Sequence, residues 1–247
     1  MKIDILTLFP GMFKGVFDES ILRIAREKGK CTINIHDLRE WTYDRHRTAD
    51  DKPFGGGPGM VMKVEPVDRG LTDIKKEAAP GIKPAVILLT PQGERLDQKL
   101  AGELSFQEHI ILVCGHYEGV DERIRDLVDM EISIGDYILT CGEIPAMALC
   151  DVVVRLIPGV LGAGESLKEE SFEDDRLEYP QYTRPSEYNR MKVPEVLLCG
   201  DPGKIEAWRK EQALERTRQR RPDLLAAGCQ GPEGKGEKRK QEMSREN

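Results

Sequence analysis

Ser133-Ile-Gly-Asp-Tyr-Ile-Leu-Thr-Cys-Gly-Glu-Ile-Pro145 separates an apolar strand pattern from an apolar helix pattern. The stretch holds two glycines, an ordered acid and a small polar run. Glycine has no Cβ, so a ligand can come close to main-chain groups there. Pro145 stands where a helix can begin, and Met147, Leu149, Cys150, Val153, Val154 and Ile157 continue as a buried helical segment. A tight strand-to-helix turn without a ligand accounts for this stretch equally well when it is taken alone. Two similar turns upstream favour the ligand.

The apolar strand 85–89 runs into Thr90-Pro-Gln-Gly93, whose Pro at the second and Gly at the fourth position fit a type I turn. The apolar strand 109–113 runs into Cys114-Gly-His-Tyr-Glu-Gly119, after which Asp121 is expected to cap a charged helix, DERIRDLV. The strand 130–134 leads into the opening stretch. Loops at the carboxyl ends of neighbouring parallel strands converge on one cleft. Three glycine-containing loops in succession therefore point to a small-molecule site.

The rest of the chain fits an α/β domain. A buried strand over 3–9 is followed by a helix over 20–28, stopped by Gly29, and a β-branched strand over 31–36. That order suggests a parallel sheet. No G-x-G-x-x-G follows the first strand, which weighs against the common dinucleotide-binding type. Residues 38–59 lack periodicity and end in Phe54-Gly-Gly-Gly-Pro-Gly59. No Gly-Lys-Ser/Thr follows, so this is no phosphate-binding P-loop, and a nucleotide hydrolase is the weakest option. A loop of this length in a compact domain is usually functional or disordered, and function is favoured here over a merely solvated loop. Arg45, His46 and Arg47 can grip phosphates, and Phe54 and Met60 are expected to anchor the loop to the core. Further on come a short strand over 60–63, a helix over 66–77 and a helix over 96–104.

At 247 residues the chain is long enough for one large domain or two small ones. No apolar run spans a membrane, and the start has no signal-peptide layout, so a cytoplasmic protein is expected. The six cysteines form no C-x-x-C pair, and most read as small buried hydrophobes rather than zinc ligands. The net charge of −7 argues against a protein that coats nucleic acid indiscriminately, but a local basic surface remains compatible with it. Four segments follow: 1–162, an α/β domain carrying the three loops; 163–179, an acidic linker without period; 180–226, a smaller helical domain; and 227–247, a disordered tail. In the smaller domain, Asp201-Pro202 starts a helix that continues over 204–221, with Arg216, Arg218, Arg220 and Arg221 making one end basic. Clustered arginines in an acidic protein favour a phosphate partner over a merely solvated face.

DRHRTADDKPFGGGPGM, LLTPQGERLDQ, LVCGHYEGVDERI, SIGDYILTCGEIPAM, RLIPGVLG and YPQYTRP together resemble the bacterial tRNA (guanine-N1)-methyltransferase family of the TrmD type, from Ile3 to about Leu225. The resemblance implies a SPOUT fold, an α/β domain with a deep trefoil knot on a parallel sheet, plus the small C-terminal helical domain. It implies a homodimer with active sites shared between chains, S-adenosyl-L-methionine as methyl donor, and a dependence on Mg²⁺ for which no ligand cluster marks a site. The implied substrate is tRNA with guanosine at positions 36 and 37, methylated at N1 of position 37, 3′ of the anticodon. The cofactor residues it implies are Leu89, Thr90, Pro91 and Gly93; Gly115, Tyr117, Glu118 and Gly119; and Ser133, Ile134, Gly135, Asp136, Tyr137, Ile138, Leu139, Gly142 and Pro145. The anticodon loop is assigned to Arg45, His46, Asp50 and Asp51 with Gly57 and Gly59, and the stem to the basic helix. The linker is expected to order when tRNA binds.

Guanine N1 carries a proton at neutral pH, so methyl transfer needs a general base, and the charge developing on O6 needs a cationic partner. By resemblance Arg155 meets O6. The family usually has Asp before Ser-Phe; here Glu170 precedes Ser171-Phe172 and is assigned as base, with Glu169 as the fallback. Cys141 stands where the family usually has Gly, which bears on the detailed cofactor contacts. Two alternatives are a SPOUT enzyme acting on another RNA position and a non-enzymatic RNA-binding module. The second leaves the three loops, Arg155 and the acidic linker without a purpose.

Overall fold

The structure, a computed structural model, describes residues 1–161, 170–172 and 175–228. Glu169, most of the expected linker, and residues 229–247 of the expected tail lie outside the described residues. Contacts divide the chain into two compact units, Met1–Gly162 and Ala163–Asn247.

The first unit is an α/β sandwich. Its strands are β1 (Lys2–Thr7), β2 (Thr32–Asp37), β5 (Ala85–Arg95), β6 (His109–Cys114) and β7 (Met130–Ser133). They form one sheet in the order β2-β1-β6-β5-β7 with every pairing parallel. A short antiparallel pair, β3 (Asp50–Asp51) and β4 (Val61–Met62), stands apart. Helices α1 (Ser20–Glu27), α2 (Val64–Lys76), α3 (Gln98–Ser105) and α4 (Glu143–Val154) complete the unit. Sheet residues alternate between two cores. Ile3, Ile5, Ile87, Leu89, Ile110 and Leu112 pack with residues of α1, α3 and α4, while Leu6, Val86, Leu88, Ile111 and Val113 pack with residues of α2. Side chains alternate across a strand, so continuous apolar runs are the mark of a sheet buried on both faces. No helix among the described residues is long and apolar enough to cross a membrane.

Asp4 breaks the apolar run of β1 and is fully buried. Its carboxylate accepts from Asn34 Nδ2 at 2.9 Å, pairs with His36 Nε2 at 2.7 Å and His109 Nε2 at 2.6 Å, and meets Lys2 Nζ at 3.0 Å. Burial alone raises a carboxyl's pKa, but hydrogen bonds from His36, Asn34, Lys2 and His109 outweigh it and hold Asp4 well below its ordinary range. Its folded value lies below its unfolded one. The stabilisation is therefore complete above the unfolded carboxyl pKa and is lost as pH falls through the folded value. Asp4→Ala strands the buried His109 and is expected to cost about 3–5 kcal/mol in urea unfolding at neutral pH. The variant's loss relative to the parent should shrink in strong acid. An undiminished loss there would remove the electrostatic explanation.

Three local expectations are corrected. Thr90–Gly93 is not a turn that ends a strand: β5 continues to Arg95, and both Leu89 and Glu94 pair with Ile132. Residues 90–93 bulge out of the sheet, and the strand rejoins β7 because Gly93 has no Cβ; one there would lie 2.4 Å from the Glu131 carbonyl carbon and the Ile132 nitrogen. DERIRDLV forms a tight 3₁₀ helix over Glu122–Leu127, with Asp121 accepting from Arg123 N at 3.0 Å. Phe54 is fully exposed and anchors nothing.

In the second unit, β8 (Glu187–Tyr188) and β9 (Met191–Lys192) form a hairpin absent from the sequence expectations. Asn189 and Arg190 both have positive φ, as a type I′ turn requires, but without the usual Gly signal. Helix α5 (Pro202–Arg220) starts as expected, with Asp201 accepting from Gly203 N and Lys204 N, and α6 (Pro222–Gly228) follows. Residues 170–172 and 175–179, read from the sequence as linker, are held to α5. Leu177 N donates to the buried Thr217 Oγ1 at 2.9 Å, and Arg209 and Arg221 lie over the rings of Tyr179 and Phe172.

Candidate active site

β5 lies between β6 and β7, so the three loops leaving these strands stand side by side. They enclose a cleft of about 530 Å³ at the carboxyl edge of the sheet. The second and third loops touch backbone to backbone. Gly142 N donates to Gly115 O at 2.7 Å, and His116 and Cys141 form an antiparallel bridge. A Cβ on Gly142 would lie 2.6 Å from Gly115 N and 2.8 Å from Cys114 Cα. Backbone at the end of a central strand cannot yield cheaply. Gly142→Ala is expected to lose about 1–3 kcal/mol and to distort the cleft. Gly102→Ala, where the added Cβ meets nothing within 4 Å, is the control and is expected to hold or gain stability. Equal melting temperatures for the two variants would refute the close approach.

The third loop braces itself. Ser133 Oγ accepts from Gly135 N at 3.2 Å and donates to Gly135 O at 3.1 Å. The Tyr137 hydroxyl donates to Ile134 O at 3.2 Å, laying the ring against Gly135, where a Cβ would be 2.5 Å away. In the second loop Tyr117 has a left-handed backbone. Burial, then the nearby Asp50 carboxylate, push its hydroxyl pKa up.

The long loop 42–63 is thereby tied to the cleft. Glu118 N donates to Met60 O at 3.1 Å, Met62 N to Gly119 O at 3.0 Å, and Asp121 N to Met62 O at 2.9 Å. Gly59 fits only because it lacks a Cβ, which would overlap Glu118 Cγ at 2.3 Å. Arg45 and His46 sit on a turn organised by Asp44, which accepts from His46 N, Thr48 N and Thr48 Oγ1. Asp50 and Asp51 form β3, and Gly57 and Gly59 both have positive φ.

Every residue expected at the cofactor lines the cleft except Gly93, which faces β7, and Asp136. Residues missed by sequence include Gln92, His116, Arg125 and Thr140. Arg125 looked like one charge on a solvated helix. The 3₁₀ turn brings it to the wall, pinned by Glu131, by Glu122 at 3.0 Å and by Gln92 at 2.9 Å. Those carboxylates raise its pKa further, so it stays cationic. Among the described residues, four cysteines are buried and Cys199 is exposed. Burial pushes the Cys114 and Cys150 thiols up, which makes them inert.

Arg155 does not line the cleft. It caps the carboxyl end of α4, whereas Gly142 and Pro145 meet the cleft at the amino end. Glu170 is partly buried in the second unit.

A family profile described as tRNA (Guanine-1)-methyltransferase TrmD matches residues 1–227. The chain belongs to the TrmD family. Relatives named tRNA (guanine-N(1)-)-methyltransferase include that of Carboxydothermus hydrogenoformans, 59% identical over 226 residues, covering 91% of this chain and 87% of the relative. Those of Dictyoglomus turgidum and Moorella thermoacetica are 55% and 54% identical, covering 91% and 94% of this chain and 90% and 93% of the relatives. This TrmD-family chain thus carries the whole cleft, from β5 to the start of α4, inside the matched span.

Proposed function

We propose that the chain methylates N1 of guanosine at position 37 of tRNA, using S-adenosyl-L-methionine, in the cytoplasm. The observation that carries this is the cleft formed by three glycine loops in a chain that matches a tRNA methyltransferase family over 1–227. The cleft fits the donor. It has the volume of a nucleoside-sized site, apolar walls at Leu89, Ile132, Leu139 and Pro145, and main chain laid open at Gly115 and Gly135. When bound, S-adenosylmethionine supplies a methyl group already activated by its sulfonium.

The chain's residues do the rest. Main-chain groups around Ile134, Tyr137 and Leu139 bond the adenine. Glu170 takes the proton from guanine N1 as the new bond to carbon forms, and Arg155 holds the negative charge that gathers on O6. A deep trefoil knot in the carboxyl-terminal part of the first unit belongs to this reading.

So does a homodimer. Pro145 of α4 lines the cleft and Arg155 stands ten residues further on, roughly 15 Å along the helix axis, so one chain does not bring its own arginine there through that helix. A second copy would. Ile138, 81% exposed, with Tyr137 and Ile144 provides apolar surface near the cleft for it. On the RNA side, Arg45, His46, Asp50 and Asp51 with Gly57 and Gly59 are placed at the anticodon loop. The basic end of α5 is placed on the stem. A Mg²⁺ dependence is part of the proposal, with no residues assigned to the ion.

The test is methyl transfer to unmodified tRNA carrying guanosine at positions 36 and 37, with the product nucleoside mapped by mass spectrometry. 1-Methylguanosine at position 37 is expected. A methyl group elsewhere would make the chain a methyltransferase of another RNA position. No product, with no saturable S-adenosylmethionine binding in calorimetry, would make it an RNA-binding module.

A further inference from the structure

Among the described residues, Glu143 is a fully buried carboxylate that lacks the set of partners Asp4 has and that the proposed chemistry leaves idle. It is 0% exposed and begins α4. Thr7 Oγ1 donates to its Oε1 at 2.6 Å, while Oε2 has no hydrogen-bond partner among the described residues. A second orphan lies beside it: the buried Nδ1 of His116. With Cys141 the three residues offer a carboxylate oxygen, an imidazole nitrogen and a sulfur, all within 4.8 Å of one another.

We infer that His116, Cys141 and Glu143 form a binding site for a zinc-type divalent cation on the wall of the cleft. The donor set names the ion class. Mixed S, N and O donors suit Zn²⁺, whereas Mg²⁺ and Ca²⁺ favour oxygen. The charges balance, since one thiolate and one carboxylate neutralise a divalent ion. That removes the difficulty of a buried carboxylate with a bare oxygen. The separations are close to what zinc needs. Bonds of about 2.0–2.3 Å in a tetrahedron put donors roughly 3.3–3.8 Å apart, a small contraction of the triad.

The surroundings hold the ligands in place. The His116 ring is set between Phe9 and Tyr117, each 4.7 Å away by ring centroids. The Thr7 hydroxyl fixes the other oxygen of Glu143, as a partner behind a metal ligand does. The His116–Cys141 bridge ties the two loops together. His116 and Cys141 both line the cleft, so an ion has a way in and its fourth position opens there to water. The ion would clasp the loop after β6 to the start of α4.

The test uses full-length protein carrying Cys199→Ser and Cys229→Ser, stripped of metal with a chelator. Zn²⁺ is titrated in competition with a chromophoric chelator, and Co²⁺ is used as a spectroscopic substitute. One ion per chain is expected, with a thiolate-to-cobalt charge-transfer band and the intense visible bands of a tetrahedral centre. Zinc should also raise the melting temperature. Cys141→Gly should abolish the charge-transfer band, weaken zinc at least about tenfold and cancel the rise in melting temperature. His116→Asn should weaken zinc alike, which guards against misreading one poorly folded variant. Failure of the natively folded parent to take up one ion per chain overturns the proposal. So does uptake with the same affinity and spectrum after Cys141→Gly.

Discussion

Glu170→Gln is expected to lower the single-turnover rate of guanosine methylation about 10²–10⁴-fold, the contribution typical of a general base. The amide keeps the shape and the hydrogen-bonding reach of the carboxylate but cannot take a proton. S-adenosylmethionine binding, measured by calorimetry, should stay near the parent value, because Glu170 is not among the residues lining the cleft. Glu170→Asp should retain most of the rate. It puts back the Asp that the resemblance leads one to expect before Ser-Phe and moves the same carboxylate by one methylene. A Glu170→Gln protein that turns over at the parental rate would eliminate this base. The search would then shift to Glu169, which lies outside the described residues.

Arg155→Ala is expected to cost about 10²–10³ in the same rate, or roughly 2.7–4 kcal/mol, as when one donor to a developing oxyanion is removed. Lysine should recover only part of it, since a point charge does not reproduce the planar guanidinium fork. The position of Arg155 makes a sharper test available. It caps the far end of α4 from the cleft. If each chain lends its arginine to its partner's cleft, two inactive chains should complement each other. Arg155→Ala protein mixed and refolded with Gly142→Val protein should recover about a quarter of the parental sites, given random pairing into closed two-fold dimers. In such a mixed dimer, the intact cleft of one chain faces the intact arginine of the other. Activity no higher than the sum of the two separate variants would place Arg155 at its own chain's cleft or at none.

The parts of this protein that one sequence reveals are those governed by local rules. The apolar runs of β1, β5, β6 and β7 announce a sheet buried on both faces, because alternating side chains must find apolar cover on each side. Asp201-Pro202 announces the start of α5, because the cap and the fixed φ act within one turn. The cleft was legible for the same reason. Each of the three strands carries a glycine-containing loop in or just after it, at 90–93, 115–119 and 135–142, and parallel strands send those loops to one edge.

What the tertiary structure decided depends on residues that meet across the chain. Chain order does not say that β5 sits between β6 and β7, yet that order brings the three loops together. Thr90-Pro-Gln-Gly93 reads as a turn in isolation and becomes a bulge because β7 offers Ile132 to both Leu89 and Glu94. Asp4 looks like an interruption in an apolar strand. It is tolerated because Asn34, His36 and His109 arrive from two neighbouring strands to satisfy it. Asp50 and Tyr117 meet because β4 hydrogen-bonds to the second loop. His116, Cys141 and Glu143 carry no metal-ligand spacing at all. Backbone contact at Gly115 and Gly142 assembles them, and glycine's missing Cβ is what allows that contact. Local propensity and hydrophobic period act over a few residues and are written in the chain. Satisfying a buried charge or closing two loops on each other requires partners that only the folded sheet brings within reach.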